Sequence, residues 1–199
     1  MSVVDFTDSA NPFEIAFFDR GPVFADELVM GGYWSTYWFD GRIYGTEIAR
    51  GLDVLALLPS DHLSANEIAA ASATIGAERF NPQQQFPITW RDEPVVARAY
   101  IDQLERSAAL DPAGISALRA ALEGASTHLA AGQSDAALAA TLSEHASGVA
   151  GASADIEGTD RQRARALVDT IEGIATRLRA AGDSVAVRPA NPRGLEPRS

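Results

Sequence analysis

The chain has 199 residues, 46% of them apolar and 22% charged, which is enough for one or two domains with a real core. Its formal charge of -11, from 27 acidic and 16 basic residues, argues against a nucleic-acid or anionic-membrane surface, because such partners require a cationic face. With no cysteine there is no disulfide framework, no thiolate nucleophile and no Cys-ligated zinc or iron-sulfur cluster.

The opening residues read as sheet. Val3, Val4 and Phe6 suggest a short strand, residues 8–12 (Asp-Ser-Ala-Asn-Pro) a loop, and residues 13–18 a second strand closed by Asp19-Arg20-Gly21-Pro22. This N-terminal stretch does not read as an export signal, since it lacks a basic region followed by a continuous apolar run. No window of the sequence approaches the ~20 apolar residues that a bilayer span requires.

The strongest strand signal lies between Gly31 and Leu58. Tyr33, Trp34, Tyr37, Trp38 and Phe39 have high β-propensity, and Asp40-Gly41 is the dipeptide of a type I′ hairpin turn. Arg42 to Gly45 then alternate polar with apolar, and Gly51 precedes a third run, Leu52 to Leu58. The prediction is a three-stranded antiparallel meander, which is most of one β-propeller blade.

Pro59-Ser60-Asp61 breaks the sheet, and Ser64-Ala65-Asn66-Glu67 has the spacing of a capping box that starts a short helix running to about Thr74, with Gly76 as its stop. Residues 78–90 form a proline- and glutamine-marked connector, where the domain boundary is placed. Four amphipathic helices follow. The first has Pro94 in its first turn and Val96, Ala99, Tyr100, Gln103 and Leu104 on one face. The second begins at Asp111-Pro112, has Ile115, Leu118, Leu122, Ala125 and Leu129 on one face, and stops at Gly132. Ser134 or Asp135 caps the third, with Leu138, Leu142 and Val149, and the fourth carries Leu167, Val168, Ile171, Ile174, Ala175 and Leu178. The fold class read from this is α+β: a propeller-blade-like antiparallel meander over 1–60, a short helix and connector over 61–91, an antiparallel α-helical bundle over 92–182 and a disordered tail over 183–199.

The run GGYWSTYWFDGRIYGTEIARGLDV, preceded by VVDFTDSANPFEIAFFDRGP, resembles the last blades of the bacterial LVIVD-repeat β-propeller proteins. The segment from NEIAAA through NPQQQ to VARAYIDQLERS, with the helices after it, looks like the C-terminal extension of actinobacterial members. The resemblance implies an exported or surface protein with no established activity and no catalytic residues to carry over. It also implies several further repeats and an export signal upstream. On this reading the chain is a C-terminal fragment of a larger propeller, or else a minimal piece that pairs with another chain, and it is prone to associate when expressed alone.

The candidate ligand-binding residues are Trp34, Trp38, Asp40, Glu47 and Asp53. Trp34 and Trp38 are four apart, so strand alternation directs them to one face, with Tyr33, Tyr37 and Phe39 on the other. They could pack between blades, or form an aromatic platform for a sugar or protein ligand. Asp40, Glu47 and Asp53 could converge at one end of the sheet as a hard-cation or ligand site, although no calcium-loop spacing supports it. Trp90 is read as anchoring the connector to the sheet. His62, His128 and His145 have no metal-ligand spacing, and no nucleophile elbow is present. No cofactor or metal is assigned. The function read from this is a non-enzymatic surface or secreted binding or structural module, its partner an unknown ligand, a protein or the missing blades. The alternative is a hydrolase or metal-dependent enzyme with its site at the propeller mouth, and self-association through the helices is a third reading.

Overall fold

The computed structural model describes residues 1–73 and 89–180. The predicted helix stop at Gly76, most of the proline and glutamine connector and the tail from Gly182 lie outside the described residues. Among the described residues the chain is mixed α+β, with two small antiparallel sheets followed by five helices, and the sheets do not close into a ring.

β1 (Ser2–Asp5) and β2 (Phe13–Phe17) form the first sheet. Its ladder continues past both strands, because the Phe18 amide donates to the Met1 carbonyl at 2.9 Å and the Met1 ammonium donates to the Phe18 carbonyl at 2.8 Å. The intervening loop is held by Asp8, whose carboxylate accepts from the Ala10 amide and the Asn11 side chain.

β3 (Tyr33–Phe39), β4 (Arg42–Glu47) and β5 (Gly51–Leu55) form the predicted meander, in the order β3-β4-β5. Asp40 and Gly41 take φ of 47° and 71°, the left-handed pair that a type I′ turn needs. Along β4 the alternation is clean: Ile43, Gly45 and Glu47 are buried, while Arg42 and Thr46 are exposed.

The predicted sharing of one face by Trp34 and Trp38 is corrected by a β-bulge. Pairing runs in step from Phe39↔Arg42 to Ser35↔Thr46, but Tyr33 then pairs with Glu47, which leaves Trp34 as the extra residue. One inserted residue reverses the alternation. Tyr33 therefore joins Trp38 on the buried side, and Trp34 is 79% exposed. A residue count that assumes strict alternation cannot see this, because the slip lies in the backbone pairing.

α1 (Ala65–Ala73) opens with the predicted capping box: the Glu67 amide donates to Ser64 Oγ at 3.1 Å and the Ser64 amide to Glu67 Oε2 at 2.6 Å. α2 (Pro94–Arg106) starts with proline in its first turn, where the missing amide costs nothing. α3 (Pro112–Ala130) is followed by Gly132 at φ 65°, and Asp135 caps α4 (Ala136–Ala152) by accepting from the Leu138 amide. α5 (Gly158–Ala180) packs against α2, α3 and α4.

These four helices share one core. Ile101, Leu104, Leu122, Leu142, Leu167, Ile171, Ile174 and Leu178 are fully buried in it. Each such side chain contributes roughly 1.5–3 kcal/mol on burial, so this core dominates the stability of the chain. The sheets are thinly covered by comparison. Ile43 is the one buried large apolar residue among their described strands, and Phe13 and Phe17 remain exposed.

Candidate functional site

The carboxylates of the meander strands, Glu47 and Asp53, lie on its buried face. Tyr33, carried inward by the bulge, lies across Gly45 and donates its hydroxyl to Asp53 Oδ2 at 2.5 Å. Arg20, from the turn after β2, forms an ion pair with the other oxygen of Asp53. Its guanidinium also sits 5.3 Å from the centre of the Phe18 ring, and Phe18 meets Tyr33 edge-on with centroids 6.4 Å apart. The first sheet is thereby fastened to the second through Phe18, Arg20, Tyr33 and Asp53.

The electrostatics follow from this geometry. The Arg20 bond and then the Tyr33 hydroxyl hold the Asp53 carboxyl below the ordinary aspartate range. Desolvation, reinforced by the hydrogen bond to ionised Asp53, raises the Tyr33 phenol. At neutral pH the cluster is a carboxylate, a guanidinium and a protonated phenol. None of the three is poised to exchange a proton.

Glu47 serves the backbone. Oε1 accepts from the Gly32 amide at 2.8 Å, and Oε2 accepts from the Ala49 amide at 2.9 Å and from the Arg50 amide. These donors, Gly32 foremost, lower its pKa. The carboxylate closes the β4–β5 turn and ties it to the segment entering β3.

The five residues singled out from sequence are thus divided. Asp53 and Glu47 share the buried face, on neighbouring strands, because Gly45 pairs with Asp53 and Glu47 with Gly51. Asp40 lies in the exposed turn at the opposite end of β4, six strand residues or roughly 20 Å away, so the three carboxylates do not converge. Trp38 is half-buried opposite Ile43, and Trp34 points to solvent. No group of three or more His, Asp or Glu side chains among the described residues could hold a metal ion. His62 packs edge-on against Phe13, and His128 Nε2 lies 3.6 Å from Asp135. Sequence reasoning passed over Arg20 and Tyr33. Arg20 lies within a turn and Tyr33 within an aromatic run, and no spacing signal connects either to Asp53.

The opposite face of the meander is mostly apolar, with a Ser35–Thr46 hydroxyl pair and Arg42 among its side chains. Its cross-strand rows are Ser35–Thr46–Leu52, Tyr37–Tyr44–Val54 and Phe39–Arg42, with Trp34 at one end. Leu52 is 63% exposed and Val54 54%, and Tyr37 and Phe39 are also exposed. Arg42 is the only charged side chain that the three strands direct to this side. No helix among the described residues is long and apolar enough to cross a membrane. No protein-family model, curated protein or solved structure matches the chain.

Proposed function

We propose that the chain is a non-enzymatic binding or structural module of a secreted or cell-surface protein, in which the two sheets act as a slice of an LVIVD-type β-propeller and α2 to α5 as a helical bundle. The observation that carries this reading is the set of exposed apolar side chains on the outer face of β3, β4 and β5. Within a chain of net charge -11 this face directs no carboxylate outward, and it displays Trp34, Tyr37, Leu52 and Val54. Exposed apolar patches of this kind mark partner surfaces. A sheet face of three short strands suits a second sheet laid against it, as adjacent blades are in a propeller. The division of labour on the two faces also supports it: Asp53 and Glu47 on the inner face are taken up by Arg20, Tyr33 and backbone amides, and the outer face presents apolar side chains to a partner.

The test is the association of the full chain, followed by sedimentation velocity and by fluorescence of the apolar dye anilinonaphthalene sulfonate. The wild type is expected to associate with rising concentration and to bind the dye. Leu52→Ser with Val54→Thr is expected to reduce both without lowering the melting temperature. A wild-type chain that stays monomeric and dye-free would end the reading.

A further inference from the structure

A separate cleft of about 420 Å³ opens where the end of β1 meets α1, α2 and α5. Its size falls in the range of small-ligand sites, roughly 300–1,000 Å³. It lies apart from the meander residues discussed above.

The charges around it are matched internally. Arg106 is bound by both oxygens of Glu67, at 3.0 and 2.7 Å, and Arg163 by Asp160 at 2.8 Å. Asp5 accepts from the Thr7 amide at 2.7 Å and faces the positive field of Arg163 and Arg106. An anionic ligand would have to displace a carboxylate from a guanidinium, and a cationic one would meet two arginines. The cleft therefore favours a neutral ligand.

What remains available is an aromatic surface beside amide and hydroxyl groups. Trp90 is 43% exposed and belongs to neither apolar core, while Tyr100 packs on both cores and forms part of the cleft wall. Gln162 and Thr159 project from the first turns of α5. A ligand with a flat C–H face and a rim of hydroxyl groups matches this lining, since the aromatic face takes the C–H surface and an amide can both donate and accept.

We propose that this cleft binds a neutral saccharide of one or two rings, with Trp90 as the stacking surface and Gln162 as a hydrogen-bonding partner. The experiment is saturation-transfer NMR and calorimetry on the full chain with glucose, galactose, mannose, N-acetylglucosamine, maltose, cellobiose, lactose and chitobiose as probes. At least one probe is expected to bind saturably, and Trp90→Ala to weaken it by about tenfold, the loss of one stacking contact. Gln162→Ala, a change at an exposed helical position that leaves the fold intact, is expected to weaken the same probe, and Trp34→Ala to leave it unchanged. The proposal is overturned if no probe binds saturably, if binding survives both cleft substitutions, or if it is lost only in Trp34→Ala.

Discussion

The ring of Tyr33 lies against the α-carbon of Gly45: a β-carbon at Gly45 would sit 2.6 Å from Tyr33 Cε1 and 2.7 Å from Cδ1. The ring cannot retreat easily, because its hydroxyl is tied to Asp53 and its edge meets Phe18. Gly45→Ala is therefore expected to destabilise the chain by about 1–3 kcal/mol, the usual cost of overpacking. In the double variant with Tyr33→Ala, the added cost of the alanine should largely vanish. Urea unfolding of the four proteins measures this coupling, and additive losses would show that the contact is not rigid.

The bulge at Trp34 separates the two tryptophans energetically. Trp34→Ala should change stability by no more than about 0.5 kcal/mol, as exposed substitutions do. Trp38→Ala removes a half-buried ring opposite Ile43 and should cost about 1–3 kcal/mol. Equal melting temperatures for the two variants would contradict the bulged register.

Glu47 sets a pH dependence with a definite sign. Its folded pKa is depressed below 4.5 by the Gly32, Arg50 and Ala49 amides, so its contribution is complete above the unfolded-state value and is lost as pH falls through the folded one. Melting temperatures followed from about pH 7 to pH 3 should fall with acidification in the wild type, and less steeply in Glu47→Gln. The variant should already be less stable at neutral pH, since an amide cannot accept from three backbone donors as a carboxylate does. Parallel curves would remove Glu47 from the acid response.

The helical core should govern global unfolding. Leu142→Ala and Ile171→Ala each empty a fully buried site and should cost about 2–5 kcal/mol. Leu52→Ala, on the exposed face of β5, should cost under about 0.5 kcal/mol. Hydrogen exchange should report the same contrast, with slower exchange in α5 than in β1 and β2. Uniform protection across these elements would mean that the sheets and helices unfold as one unit.

Much of the local structure was determined by the sequence alone, because it depends on interactions between near neighbours. Asp40-Gly41 specifies its turn through backbone sterics, Ser64 and Glu67 satisfy each other's amides across three residues, and the leucines and isoleucines of α2 to α5 recur at helical spacing. The pairing of β4 with β3 on one side and β5 on the other was legible for the same reason. Tertiary structure decided what near neighbours cannot. The bulge that turns Tyr33 inward and Trp34 outward lies in the pairing of two strands, and the capture of Asp53 by Arg20 joins residues 33 apart in the chain. That capture, with the three amides on Glu47, occupies carboxylates that sequence alone presented as free ligands, and it leaves the apolar outer face as the meander's exposed feature. Long-range contacts form only once loop closure has been compensated by packing on both sides, so a linear pattern holds little trace of them.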